Sequence, residues 1–96
     1  MLVIIRNAPD TQEGKRGVKI ARDMTADIVL MQNGVYFLKE QALGDLGFIG
    51  TAYVLEEDRR LRGLTSADGN KKNIMDIDYD GLVDLMTETD KVVGMF

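Results

Sequence analysis

The chain has no cysteine and no histidine. Without a thiol it cannot form disulfides, supply a thiolate nucleophile, hold an iron–sulfur cluster or carry a persulfide. Without imidazole it lacks the usual near-neutral acid or base and the commonest zinc ligand. Proline occurs once, while 45% of residues are apolar and 29% charged, which is a globular composition rather than a disordered one. No apolar run approaches the roughly 18–20 residues that span a bilayer. The opening stretch Met1-Leu2-Val3-Ile4-Ile5-Arg6 has no basic leader and is too short for a signal peptide, so the expected location is cytoplasmic.

Positive charge is also in short supply. Lys and Arg number 12 against 16 Asp and Glu, a net charge of −4. Direct nucleic-acid binding normally needs a basic face, and the clusters Arg59-Arg60-Arg62 and Lys71-Lys72 are too small to make one. The imbalance is local. Residues 1–75 carry 11 basic and 10 acidic residues, whereas residues 76–96 carry one basic and six acidic residues. With 96 residues the chain is read as one domain over its whole length. A domain of this size buries about 65% of its surface, enough for one modest core.

Four short β-branched runs stand out: Leu2–Ile5, Ile28–Met31, Ala52–Leu55 and Ile74–Ile77. The first three are continuous, as in strands covered on both faces, and the fourth is more polar and reads as an edge. Helical patterns fill the gaps. They run over Lys15–Met24, over Val35–Leu46 with Gly47 as a stop, over Glu56–Arg62 and over Leu82–Thr89, where Asp78 or Asp80 supplies a cap. Thr65–Asn73 reads as a polar loop. The order β-α-β-α-β-α-β-α predicts a small, flavodoxin-like, doubly wound α/β domain. Its parallel sheet would have about four strands, with helices on both faces. Ligands and partners of such sheets meet the loops at the carboxyl ends of the strands, here Asn7–Thr11, Gln32–Tyr36, Glu56–Arg59 and Asp78–Gly81.

The residues in those loops have modest meanings. Asp76-Ile77-Asp78-Tyr79-Asp80-Gly81 matches the start of a calcium loop. The closing position, which needs a bidentate glutamate, holds Thr87, and a strand rather than a helix precedes the loop. A strand end and helix cap is the better reading, so no metal site is assigned. Gly14-Lys15 lacks the earlier glycine and the following Ser or Thr of a phosphate loop. Glu56-Glu57-Asp58-Arg59-Arg60-Leu61-Arg62 reads as a short exposed helix with acids at its start and arginines at its end, complementing the dipole, or else as a charged docking patch. Gln32-Asn33-Gly34 is a sharp strand-to-helix turn. The apolar tail Val92-Val93-Gly94-Met95-Phe96 either folds back on the domain or is buried by another chain. The candidate partner contacts are therefore Gln32, Asn33 and Gly34 in the turn, Glu57, Asp58 and Arg62 in the charge run, and Val92, Val93, Met95 and Phe96 in the tail. No catalytic or cofactor-binding residue is assigned.

Three segments in order carry a family resemblance: Leu30-Met31-Gln32-Asn33-Gly34-Val35, then Tyr53-Val54-Leu55-Glu56-Glu57-Asp58 leading to Leu61-Arg62-Gly63-Leu64, then Ile77-Asp78-Tyr79 followed by Leu82-Val83. Together they resemble the DsrH/TusB family, part of the wider DsrE/DsrF/DsrH group, over roughly residues 1–90. The resemblance implies a flavodoxin-like subunit of a sulfur-relay complex, serving either 2-thiolation of the tRNA wobble uridine or dissimilatory sulfur metabolism. It implies sibling subunits of the DsrE/TusD and DsrF/TusC types as partners. The relay cysteine belongs principally to the DsrE/TusD-type sibling. Some DsrH proteins carry a cysteine of their own, and this chain departs from them. The implied role is thus non-catalytic and without cofactor. Without siblings a homodimer is expected, with the tail or the final helix at the contact. Two other classes stay open on the residues alone: a stand-alone homo-oligomeric interaction domain, and a metal-binding module built on Asp76–Asp80.

The missing cysteine generates a direct test. After incubation with a labelled persulfide donor and denaturation, the chain is expected to carry no covalent label. Stable label on the denatured chain would refute the non-carrier reading.

Overall fold

The computed structural model describes residues 1–38, 50–64 and 74–95. Three strands stand where their β-branched runs place them: β1 Leu2–Ile5, β3 Ala52–Leu55 and β4 Ile74–Ile77. β2, Asp27–Leu30, begins one residue before its apolar run. The tail supplies a fifth strand, β5 Val92–Met95, which corrects the expected four. Val92 and Val93 suit a pleated backbone, and β1 offers them an open edge: Leu2 pairs with Val92 and Ile5 with Met95. The backbone of Val92–Met95 therefore pairs with the chain's own sheet, while Phe96 lies outside the described residues.

The sheet is parallel throughout, in the order β4-β3-β2-β1-β5. That order explains the layers. From β1 to β4 the chain steps across the sheet in one direction, and right-handed crossovers keep those connections on one face. From β4 to β5 the chain returns past β1, so its helix falls on the other face. On the first face Val3, Ile5, Ile28, Leu30, Ala52 and Val54 pack with Val18 and Ala21 of α1 (Gln12–Asp23) and with Val35 and Phe37 of a 3₁₀ helix, Gln32–Leu38. On the second face Leu2, Ile4, Val29 and Leu55 pack with Leu82 and Leu85 of α3 (Tyr79–Glu88). Between them in sequence, α2 (Glu56–Leu61) follows β3 with no intervening loop. The result is the expected flavodoxin-like α/β arrangement, with helices on both faces of the sheet.

Caps set the helix starts. Thr11 Oγ1 accepts from the Gly14 N–H at 3.0 Å, so α1 starts earlier than its apolar spacing suggests. Asp78 Oδ1 accepts from the Gly81 N–H at 2.7 Å, making Asp78 the cap of α3 and starting that helix at Tyr79. The expected helix Val35–Leu46 is, in its described part, the 3₁₀ helix ending at Leu38. The rest of it, and the loop Thr65–Asn73, lie outside the described residues.

Gly34 shows how tightly the ends of β1 and β2 are stacked. A Cβ there would stand 2.2 Å from the Ile5 carbonyl oxygen, a backbone atom that cannot swing aside. Gly34→Ala is expected to lower stability by about 1–3 kcal/mol through this overpacking. Urea unfolding at unchanged m-value measures it, and an unaltered midpoint would show that the turn relaxes freely.

Candidate functional site at the carboxyl edge of the sheet

The turn after β2 and the helix after β3 meet at the carboxyl edge. Gln32 has φ of +50°, a left-handed conformation unfavourable for a residue with a Cβ. What holds it is Asp58, in the first turn of α2. The Gln32 N–H donates to Asp58 Oδ2 at 2.7 Å, and Asp58 is only 7% exposed. A short charge-assisted bond to a backbone amide is among the stronger hydrogen bonds, and burial raises the cost of losing it.

Two arginines extend the network. Arg6 Nε donates to Gln32 Oε1 at 3.1 Å. Arg62 Nε donates to Asn33 Oδ1 at 3.2 Å, and its Nη1 donates to the Asp58 carbonyl at 3.3 Å. The Arg62 Nη1 also lies 3.8 Å from Asp58 Oδ1. The structure thus joins Gln32, Asn33, Asp58 and Arg62, candidate contacts far apart in sequence. Asn33 is exposed, Gln32 and Arg62 are half-buried, and Gly34 is buried against β1. Glu57 is exposed beside them on α2. Val92 and Val93 are half-buried in β5, on the far side of β1 from β2 and β3, so the tail is not part of this network.

The charge run of α2 departs from the exposed helix that its composition suggests. Arg59 is buried. Its Nε and Nη2 donate to Asp76 Oδ1 and Oδ2 at 3.2 and 3.0 Å, and its Nη1 donates to the Leu64 carbonyl at 2.9 Å. This fork ties α2 to β4, which has a strand neighbour on one side only. Sequence reasoning missed the pair. Its one available signal was strand alternation, which sets Asp76 on the same face as Ile74, the face that carries α2. Glu56 and Arg60 form an i,i+4 ion pair on the outer side.

Two acids at the end of β4 are engaged in structural contacts: Asp76 with Arg59, and Asp78 with the Gly81 amide of α3. No group of three His, Cys, Asp or Glu positioned for a metal ion occurs among the described residues. A cleft of about 420 Å³ opens between α2 and the start of α3, lined by Glu56, Glu57, Arg60, Leu61, Asp78 and Tyr79. No described helix is long and apolar enough to cross a membrane. The carboxyl edge thus carries a hydrogen-bonded polar rim with the Asp58 bond at its centre.

Removing that bond has two measurable effects. Asp58→Ala leaves the Gln32 amide without its acceptor and is expected to cost about 1–3 kcal/mol of stability. It is also expected to speed hydrogen exchange of the Gln32 amide by about tenfold or more. Unchanged protection of that amide would show that the turn does not depend on Asp58.

A family model described as DsrH like protein matches residues 18–92, from within α1 to the start of β5. The solution NMR structure of protein Tm0979 from Thermotoga maritima is similar to this chain, with 27% identity and a TM-score of 0.67, over 94% of each chain. No curated protein matches the chain.

Proposed function

The chain belongs to the DsrH-like family, and on that premise we propose that it is a non-catalytic subunit of a sulfur-relay complex. The observation that carries the reading is the family match, which spans β2, β3 and β4 and includes the whole Gln32–Asp58–Arg62 rim. The absence of cysteine supports the non-catalytic part: a sulfane sulfur must travel on thiolates of other subunits. The complex acts in the cytoplasm, in 2-thiolation of the tRNA wobble uridine or in dissimilatory sulfur metabolism. The partners are cysteine-bearing siblings of the DsrE/TusD and DsrF/TusC types.

Two surfaces support an assembling role. At the carboxyl edge, Asn33 and Glu57 are exposed around a rim whose backbone is already fixed, so little conformational freedom is lost on docking. At the sheet edge, Val92-Val93-Gly94-Met95 carries neither charge nor proline, the features that usually protect an edge strand. In the absence of siblings, this edge is the proposed contact of a two-fold homodimer.

Co-expression with cysteine-bearing siblings encoded beside the gene tests the reading. A complex of defined stoichiometry is expected on size-exclusion chromatography. Glu57→Lys is expected to weaken it about tenfold, as charge reversal in a contact does. Siblings that elute apart from a folded chain would refute the proposal.

A further inference from the structure

The outer helices carry exposed charge of opposite sign. On one face α1 exposes Lys15, Arg16, Lys19 and Arg22 against Glu13 and Asp23, the latter paired with Arg22, so its balance is positive. On the other α3 exposes Asp80, Asp84 and Glu88 and contains no basic residue. Beside Asp80 and Asp84 runs an apolar stripe. Leu82 and Leu85 face the sheet, which leaves Tyr79, Val83 and Met86 exposed by 50%, 59% and 38%. Steps of four and three residues align these side chains down one side of the helix. Asp80 and Asp84 each follow a stripe residue, about 100° further round. A line of large exposed apolar side chains bordered by acids of one sign marks an interaction surface.

We propose that this face of α3 docks a partner protein whose contact surface has apolar side chains bordered by Lys or Arg. The inference rests on the reading of the chain as a subunit of a hetero-complex. Neither charged outer helix of a second copy complements the face. Antiparallel two-fold packing of α3 on α3 would align two acidic rows along one side of the contact, where like charges oppose association. Packing of α3 on the α1 of another copy would match the charges. Yet Met24, at its end, is the one large apolar side chain exposed on α1, so the stripe would find no counterpart. A partner that is both apolar and basic satisfies both features.

The chain itself supplies the probe. The variant Asp80→Lys/Asp84→Lys/Glu88→Lys keeps the stripe and makes its border basic. In sedimentation at about 0.05 M salt, an equimolar mixture of wild type and variant is expected to gain a complex that neither forms alone. That complex should weaken about tenfold at about 0.5 M salt, and Val83→Asp in the wild-type chain should remove it. Circular dichroism checks folding, and Asp84→Lys/Glu88→Lys, which spares the first turn, gives the same readout if the triple variant does not fold. A mixture that gains no complex overturns the proposal. So does a wild-type dimer that Val83→Asp splits, because a second copy then occupies the face. The experiment uses no sibling, so its failure leaves the sulfur-relay reading standing, and absent siblings would leave its success standing.

Discussion

One buried carboxylate organises the carboxyl edge of the sheet. Asp58 sits in the first turn of α2, where an acid is favoured by the helix dipole, and it accepts the amide of Gln32 from the turn after the neighbouring strand β2. That bond stabilises a left-handed residue, and the fixed turn then positions Gly34 against β1 and Asn33 toward solvent. Arg62 and Arg6 attach to the two side-chain amides that the turn presents. The carboxyl ends of β1, β2 and β3 are thereby locked to one another by polar contacts, while the apolar packing lies beneath them on both faces of the sheet.

Much of the fold was legible because its signals are local. β1, β3 and β4 are runs of β-branched and apolar residues bounded by polar ones, and they need no distant information to be recognised. The start of α1 was less legible because its buried face there is made of glycine. A Cβ on Gly14 would stand 2.4 Å from the Ala8 carbonyl oxygen, so the helix start closes on the loop after β1 through residues that carry no apolar signal. β5 was read as a tail because its partner, β1, lies at the far end of the sequence, and only the closed sheet shows that β1 has a vacant side.

The candidate contacts were legible as a neighbourhood, since loops at the carboxyl ends of parallel strands gather at one edge. Their individual states were not. Asp58 and Arg59 stand in a dense charge run, which composition reads as solvated. Each is buried because a partner far along the chain, the Gln32 amide or the Asp76 carboxylate, compensates it. The same composition left Glu57 exposed and Arg60 in an outer ion pair. Neighbours of one charge class thus divide between holding the fold and facing outward.

The pairing of β5 with β1 also has a consequence for biogenesis. Among the described strands, the earliest to be made is completed by the latest. Until β5 emerges, nascent β1 presents a bare row of amides and carbonyls next to Leu2, Val3, Ile4 and Ile5, the kind of unpaired apolar edge that recruits other chains. Loop closure over nearly the whole chain must precede this last pairing, which slows it. Translation arrest or premature termination just before Val92 would therefore release a four-stranded sheet with a sticky edge, and the crowding of nascent chains on a polysome would set how often that edge meets a neighbour instead of its own β5.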